Sequence, residues 1–169
     1  MSEDKSIDET TADLALRRRR KQLVPVWRKR PRVLLVEDDT EMREFIASGL
    51  RRMEYEVVEA ADGDEALTWL GPGVLEGDPE RMPAVIVSDV RLPHYSGLEI
   101  LEGMQLTPVP IPVILITGFG DEEVHEAARL LGAERVLDKP FELKALLAAV
   151  STAISRGASR RHDPWAGDR

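Results

Sequence analysis

Short apolar runs alternate along this chain with segments whose apolar residues recur at helical spacing. Three of the runs are wholly apolar, namely Val33–Val36, Ala84–Val87 and Val113–Ile116. Runs of about four to eight apolar residues between turn residues are typical of strands buried on both faces of a sheet. Tyr55–Glu59 is less regular and predicts an edge strand, and Glu134–Leu137 predicts a short fifth strand. The alternation therefore restricts the chain to a sheet whose strands are joined by helices.

A segment of helical periodicity follows each strand. The first places apolar residues from Met42 to Met53 at i, i+3, i+4, i+7, i+8 and i+11. Asp39 or Thr40 is its predicted N-cap, because both residue types accept a hydrogen bond from a helix's first turn. The second helix is predicted to end at the Gly-Pro-Gly segment 71–73, because these residues disfavour a continuing helix.

The remaining helices complete the pattern. The third is predicted to begin at about Gly97, the fourth to be capped by Asp121 and end at Gly132, and the last to start near Phe141. Five strands alternating with five helices predict an α/β fold with a doubly wound, five-stranded parallel sheet. Right-handed crossovers and this length favour that sheet over a closed eight-stranded barrel. The edge-like second strand fits the strand order 2-1-3-4-5.

The net charge of −8 is unevenly distributed. Residues 1–31 hold 9 Lys/Arg and 5 Asp/Glu, a net +4; residues 32–155 hold 10 and 24, a net −14; residues 156–169 hold 4 and 2, a net +2. We therefore predict a basic, disordered N-terminal arm at 1–31, a domain at 32–155 and a disordered C-terminal tail at 156–169. Trp27, which lies among the arm's basic residues, leaves open that the arm is a binding segment.

Composition excludes several classes of function. The chain has no cysteine, which removes disulfides, thiolate catalysis and thiolate zinc sites. His94, His125 and His162 are too scattered to predict a metal cluster. No apolar run approaches the roughly 20 residues of a membrane helix, and the first residues lack a basic-then-apolar signal pattern. We expect a cytoplasmic protein.

The residues that follow the strands carry the chemistry. Strand one leads into Glu37, Asp38 and Asp39, and strand three ends in Asp89. Strand four ends in Thr117, and strand five leads to Lys139. In a parallel doubly wound sheet, ligands bind beyond the carboxyl ends of the strands, where the strand order reverses. These side chains are therefore expected to converge on one edge, which we call the C-terminal rim.

Three clustered carboxylates need positive charge nearby. At about 4 Å and an effective dielectric near 20, each like-charge pair costs on the order of 4 kcal/mol. Mg²⁺ fits, because it takes oxygen ligands from a few carboxylates and leaves room for a phosphate oxygen. Lys139 supplies a mobile charge for that phosphate, and the Thr117 hydroxyl supplies a donor. The chemistry this set favours is attack by a carboxylate on phosphorus to form an acyl phosphate.

Four segments resemble one known family. They are Val36-Glu37-Asp38-Asp39, Ser88-Asp89-Val90-Arg91-Leu92-Pro93 with Gly97, Ile116-Thr117-Gly118 and Asp138-Lys139-Pro140-Phe141. In this order they resemble the receiver domains of two-component response regulators, from about Arg32 to Ser155. The resemblance implies the flavodoxin-like fold of receiver domains. Any one of these motifs alone would carry little weight, since an isolated aspartate or lysine is usually a turn or surface residue.

The resemblance also implies roles for individual residues. Asp89 is the phosphoacceptor, Asp38 a direct metal ligand, and Glu37 an indirect one. Asp89 and the backbone carbonyl of Arg91 complete the metal shell, which holds Mg²⁺, with Mn²⁺ as an alternative. Thr117 and Lys139 bind the phosphate and take part in switching. A cis peptide bond is expected before Pro140. Asp39, which precedes a helix, is interpreted as an N-cap rather than as a ligand.

Two positions tune this pattern. Receivers commonly carry Tyr or Phe three residues before the lysine, and here that position is Val136. The resemblance therefore does not imply switching through an aromatic rotamer in this chain. Phe119 follows Thr117 by two residues, and our hypothesis is that its ring screens the acyl phosphate from water. The alternative is that Phe119 simply contacts the next helix.

The expected function is that of a single-domain response regulator, a phosphoacceptor signalling protein rather than an enzyme. A histidine kinase or phosphotransfer protein supplies the phosphoryl group, and a downstream effector protein or a second copy binds the last helix-strand-helix face. One alternative is an adaptor that works without phosphorylation. Another is contact of the basic arm with nucleic acid or an anionic surface, although no recognition helix is evident.

Overall fold

The computed structural model describes residues 30–76, 81–107, 111–118 and 122–161. The basic residues of the predicted arm up to residue 29, Phe119, Asp121 and the last eight positions of the chain lie outside them. The strands are β1 Arg32–Val36, β2 Glu56–Ala60, β3 Val85–Asp89, β4 Val113–Thr117 and β5 Arg135–Asp138. The helices are α1 Thr40–Arg52, α2 Gly63–Glu76, α3 Gly97–Gln105, α4 Glu122–Leu130 and α5 Leu143–Arg161.

The five strands form one parallel sheet in the order β2-β1-β3-β4-β5. The predicted fold class and strand order are thus confirmed. The order reverses between β1 and β3, so the carboxyl ends of these two strands flank a crevice. The register pairs Val36 with Ser88, Asp89 with Ile116, and Thr117 with Asp138. The residues that follow β1, β3, β4 and β5 in the chain therefore begin at neighbouring positions along the C-terminal rim.

Each central strand buries both of its faces, which explains the wholly apolar runs. Alternate residues such as Val33 and Leu35 pack against α1 and α5, through Ile46, Leu50 and Leu146. The intervening strand residues pack on the opposite face against α2, α3 and α4. Side chains alternate between the two faces of a strand, so a single apolar run supplies both cores.

The predicted end of α2 is wrong. The helix continues through Pro72 to Glu76 instead of stopping at the Gly-Pro-Gly segment. The proline is exposed, whereas Gly73 is buried close to Met82 and Val74 packs on the core. Tertiary packing on one side of this turn outweighs the poor local helix propensity of proline and glycine.

Side-chain caps define where α1 and α3 begin. The Asp39 carboxylate accepts a 2.7 Å hydrogen bond from the Met42 N–H, so Asp39 is the N-cap of α1. Ser96 caps α3 in a reciprocal capping box with Glu99. Helix α5 runs to Arg161, so the domain boundary predicted after residue 155 falls within a helix.

Candidate functional site

Three carboxylates meet at the C-terminal rim. Glu37 and Asp38 follow β1, and Asp89 is the last residue of the adjacent β3. One oxygen from each of them lies within 4.8 Å of the others. Glu37 is fully buried, Asp89 is 6% exposed, and Asp38 is exposed to solvent. The cluster thus has a buried floor and an open side from which a ligand can enter.

The Asp89 carboxylate is held by both of its oxygens. Oδ1 accepts a 2.6 Å hydrogen bond from the backbone N–H of Arg91, and Oδ2 contacts the Lys139 ammonium. Gly97 lies so close that a Cβ there would be 2.4 Å from the Asp89 carbonyl oxygen. The turn after β3 and the start of α3 therefore set the position of Asp89.

Glu37 is buried close to Asp89, and the Lys139 ammonium contacts both carboxylates. Its Oε2 accepts a 3.1 Å hydrogen bond from Lys139, and its Oε1 accepts a 3.2 Å bond from the Asp39 N–H. Arg43 donates to the Glu37 carbonyl oxygen at 2.7 Å. Burial raises the pKa of Glu37, the Lys139 hydrogen bond opposes that rise, and the charge of Asp89 adds to it. Lys139 therefore compensates the buried charge of Glu37 only in part, and a bound cation or a proton would offset the rest.

Lys139 reaches the cluster from the carboxyl end of β5. Burial acts to lower the pKa of Lys139, but hydrogen bonds and charge from Asp89 and Glu37 together raise it. Its backbone N–H donates to the Thr117 carbonyl oxygen at 2.7 Å, and the following peptide bond to Pro140 is cis. Lys139 is therefore charged and joined to β4 as well as to the two acids.

The Thr117 hydroxyl is a buried hydrogen-bond donor that has no partner among the described residues. Thr117 ends β4, one residue beyond Ile116, the register partner of Asp89. Its side chain is fully buried, and within the described part of the chain its Oγ1 finds no hydrogen-bond partner. An unpaired buried hydroxyl costs about 1–3 kcal/mol. A ligand oxygen at the rim would remove that cost.

The residues fit a magnesium ion. Hard oxygen donors from Glu37, Asp38 and Asp89 surround one point, and the carbonyl of Arg91 follows Asp89 by two residues. One ammonium, that of Lys139, contacts two of the three carboxylates, so the cluster remains net negative. A divalent cation with oxygen ligands is the kind of ion that such a set attracts.

The other predicted residues lie aside from the cluster or outside the described residues. Asp39 is engaged as a helix cap. Val136 is half-buried on β5 and packs against the core beneath α4. Phe119 lies outside the described residues, so its screening role stays a prediction.

Some contacts could not be read from the sequence. Glu37 and Lys139 are 102 positions apart, and no local pattern links them. His125 on α4 contacts Asp138 at 2.7 Å, although the sequence showed only an isolated histidine. The α3 capping box, by contrast, had a visible signature in Ser96 followed three residues later by Glu99.

Comparison with known proteins identifies the family. The response regulator receiver domain model matches residues 33–151, and the chain therefore belongs to that family. Receiver domains are phosphoacceptor signalling domains of two-component systems, so the predicted resemblance is confirmed.

Related proteins are longer than this chain. The transcriptional regulatory protein PdtaR of Mycobacterium tuberculosis is 32% identical over 126 residues, which cover 74% of this chain and 57% of PdtaR. Nodulation protein W of Bradyrhizobium diazoefficiens is 36% identical over 129 residues, covering 76% of this chain and 53% of that protein. The chain thus spans about half the length of these relatives.

Solved structures share the fold. A response regulator receiver domain protein from Clostridium thermocellum superimposes with a TM-score of 0.67 at 27% identity, over 76% of this chain and 98% of its own. Full-length FixJ from B. japonicum gives 0.66 at 30% identity, over 77% and 61%. The chemotaxis response regulator CheY4 of Vibrio cholerae gives a TM-score of 0.60 at 27% identity, over 74% of this chain and 99% of its own.

Among the described residues, no helix combines the length and hydropathy needed to traverse a bilayer.

Proposed function

We propose that the chain is a single-domain response regulator that accepts a phosphoryl group on Asp89 in a Mg²⁺-dependent reaction. The observation that carries the proposal is the arrangement around this carboxylate. Asp89 is bridged by Lys139 to the buried Glu37, beside a buried Thr117 hydroxyl that no described group satisfies. A purely structural acid would not need an unpaired donor and two further carboxylates next to it.

The proposed reaction uses a carboxylate oxygen of Asp89 as the nucleophile. The oxygen attacks phosphorus of a phosphohistidine, the P–N bond breaks, and the imidazole nitrogen released takes up a proton. The Arg91 N–H keeps the carboxylate oriented through Oδ1. Lys139 already contacts Oδ2 and can follow the negative charge onto the phosphoryl oxygens. The Thr117 hydroxyl donates to one of those oxygens.

The metal site of the proposal consists of Asp38, Asp89 and the Arg91 carbonyl as direct ligands, with Glu37 acting indirectly. A bound Mg²⁺ supplies positive charge that offsets the charge on the phosphoryl oxygens. Mn²⁺ is the alternative ion. Without such an ion, Lys139 partly neutralises the same carboxylates.

The phosphoryl donor in this proposal is another protein. His94 lies 4.0 Å from Asp62 and His125 lies 2.7 Å from Asp138. The described groups that contact the Asp89 carboxylate are the Arg91 N–H and the Lys139 ammonium rather than a histidine. A sensor histidine kinase or a histidine phosphotransfer protein supplies the group. The phosphorylated domain then binds a downstream effector protein or a second copy of itself. The division into an arm at 1–31, a domain at 32–155 and a tail at 156–169 is part of the same proposal, with the tail beginning inside α5, which continues to Arg161.

The test is phosphate addition read by intact mass. Full-length protein is incubated with Mg²⁺ and acetyl phosphate, and in parallel with EDTA in place of Mg²⁺. We expect a gain of one phosphate that requires Mg²⁺ and that Asp89→Asn abolishes. Phosphate addition that is equal in Asp89→Asn would contradict the assignment. No addition to wild type would favour the adaptor that works without phosphorylation.

A further inference from the structure

Helix α4 is tied to the end of β5 by one side-chain hydrogen bond. His125 Nε2 lies 2.7 Å from Asp138 Oδ1. Because an ionised carboxylate only accepts, Nε2 is assigned as the N–H donor of this bond. The two side chains are 39% and 42% exposed, so the bond adds little to overall stability. The donor–acceptor geometry of this bond can therefore change when either α4 or the end of β5 moves.

The remainder of α4 is lightly anchored. Ala128 is its fully buried residue, Val124 packs partly buried against the core, and Glu126 and Arg129 pair with each other on its surface. An element with little buried apolar surface moves at low cost. The bond from His125 therefore has more influence on where α4 lies than a similar bond would have in α1 or α5.

Asp138 is joined directly to the phosphoacceptor site. The next residue is Lys139, whose ammonium contacts Asp89 and whose N–H donates to the Thr117 carbonyl at 2.7 Å. Consecutive Cα atoms are about 3.8 Å apart and linked by a planar peptide. Asp138 is also the register partner of Thr117. A backbone shift at Lys139 or Thr117 that accompanied movement of charge from the Asp89 carboxylate to a phosphoryl group would therefore displace Asp138 as well.

An open cavity lies next to this bond, on the side where His125 and Val136 face each other across α4 and β5. Val136 precedes Asp138 by two residues, so both side chains leave β5 on the α4 side. The cavity, of about 600 Å³, adjoins Val136, and it is lined by His125 and Ala133 together with Glu122, Glu126 and Arg129. Val136 carries no polar group, whereas His125 bridges the two elements at this place.

We propose that His125 is a positioning residue that couples α4 to Lys139 through Asp138. The inference rests on the proposed phosphorylation of Asp89 and names the route by which it reaches the surface. A phosphoryl group at Asp89 moves Lys139, Lys139 moves Asp138, and the hydrogen bond moves α4. His125 supplies a side-chain hydrogen bond between α4 and β5 that Val136 cannot supply, because valine has no polar side-chain group.

The test measures α4 and phosphate separately. Full-length ¹⁵N-labelled protein receives Mg²⁺ and acetyl phosphate. Intact mass reports phosphate on Asp89, and the amide chemical shifts of residues 122–130 report the response of α4. A hydrogen bond of ordinary net strength changes the ratio of two arrangements about fivefold. We expect His125→Leu to gain phosphate as wild type does and to lose most of the α4 shift change.

Three further variants separate coupling from structure. His125→Gln keeps an N–H donor and should recover part of the response. Asp138→Leu removes the acceptor and should lose the response as His125→Leu does. Glu126→Gln breaks the same-helix pair with Arg129 beside the same cavity, and it should respond as wild type does. The melting temperatures of these three variants and of His125→Leu should differ little from that of wild type, because the hydrogen bond between His125 and Asp138 is partly exposed.

The outcomes are distinct. An undiminished α4 response in phosphorylated His125→Leu overturns the inference alone, as does an equal loss in Glu126→Gln. If wild type gains no phosphate, the proposed function and this inference fall together. If His125→Leu fails to fold, His125→Gln and Asp138→Leu decide, and a full wild-type response in Asp138→Leu overturns the coupling.

Discussion

Replacing Lys139 with methionine should destabilise the protein unless magnesium is present. The change keeps the aliphatic stem and removes the charge that bridges Asp89 and Glu37. Oxygens of these two acids lie within 4.8 Å of each other, so at an effective dielectric near 20 their repulsion is roughly 3 kcal/mol. The lysine side chain is 29% exposed, and solvent screening reduces this cost. We expect Lys139→Met to lower the free energy of unfolding by about 2 kcal/mol.

Urea unfolding in EDTA and in saturating Mg²⁺ measures this effect. The pKa of Lys139 is raised above its unfolded value of 10.5, so its contribution is complete below that pH and is lost only as the pH rises through the folded value. A measurement near neutral pH therefore captures all of it. An ion at 100 times its dissociation constant stabilises the folded state by about 2.7 kcal/mol. Because Mg²⁺ supplies the missing positive charge, the deficit of Lys139→Met should shrink to less than about 1 kcal/mol.

Lys144→Met is the matched control. Lys144 lies at the start of α5 with its side chain 88% exposed, and it pairs with Glu142 at 3.5 Å. We expect this variant to stay within about 0.5 kcal/mol of wild type in both conditions. A Lys139→Met deficit that is the same in EDTA and in Mg²⁺ would refute the reasoning, because the metal and the ammonium would then not act on the same carboxylates.

Four other substitutions test further positions. Thr117→Val should leave the free energy of unfolding unchanged or raise it by about 1 kcal/mol, since it removes an unpartnered hydroxyl. Acetyl phosphate should nevertheless phosphorylate this variant about tenfold more slowly than wild type. An unaltered rate would exclude the hydroxyl from phosphate binding. Gly97→Ala places a Cβ 2.4 Å from the Asp89 carbonyl and should cost about 1–3 kcal/mol in urea unfolding. Gly103→Ala, where nothing lies within 4 Å, should instead gain up to about 1 kcal/mol; equal effects at both glycines would contradict the close approach. Phe119→Ala should speed phosphate loss from Asp89 if the ring excludes water, and an unchanged or slower loss would refute the screening hypothesis.

The fold was predictable because its strong signals are local. The buried runs of β1, β3 and β4 and the weaker pattern of β2 were enough to predict the strand order. The end of α2 was not predictable from local pattern, because proline and glycine at 71–73 favour a stop. The burial of Gly73 near Met82, which keeps the turn in place, is a contact between separate segments.

The candidate site divides in the same way. Which residues reach the C-terminal rim follows from the strand ends, so Glu37, Asp89 and Lys139 could be named from the sequence. How they are arranged depends on contacts over long separations, such as Lys139 with Glu37. The bond between His125 and Asp138 joins a helix to a strand across 13 positions, and the sequence carries no periodic signal for it.

The most direct test of the account is to locate the phosphoryl group. Borohydride reduces an aspartyl phosphate to homoserine, which peptide mass spectrometry distinguishes from an unmodified aspartate. After incubation with Mg²⁺ and acetyl phosphate, the account predicts homoserine in place of Asp89 and an unmodified Glu37 and Asp38. Reduction at either of those two acids, or at no carboxylate in a protein that has gained phosphate, would contradict it.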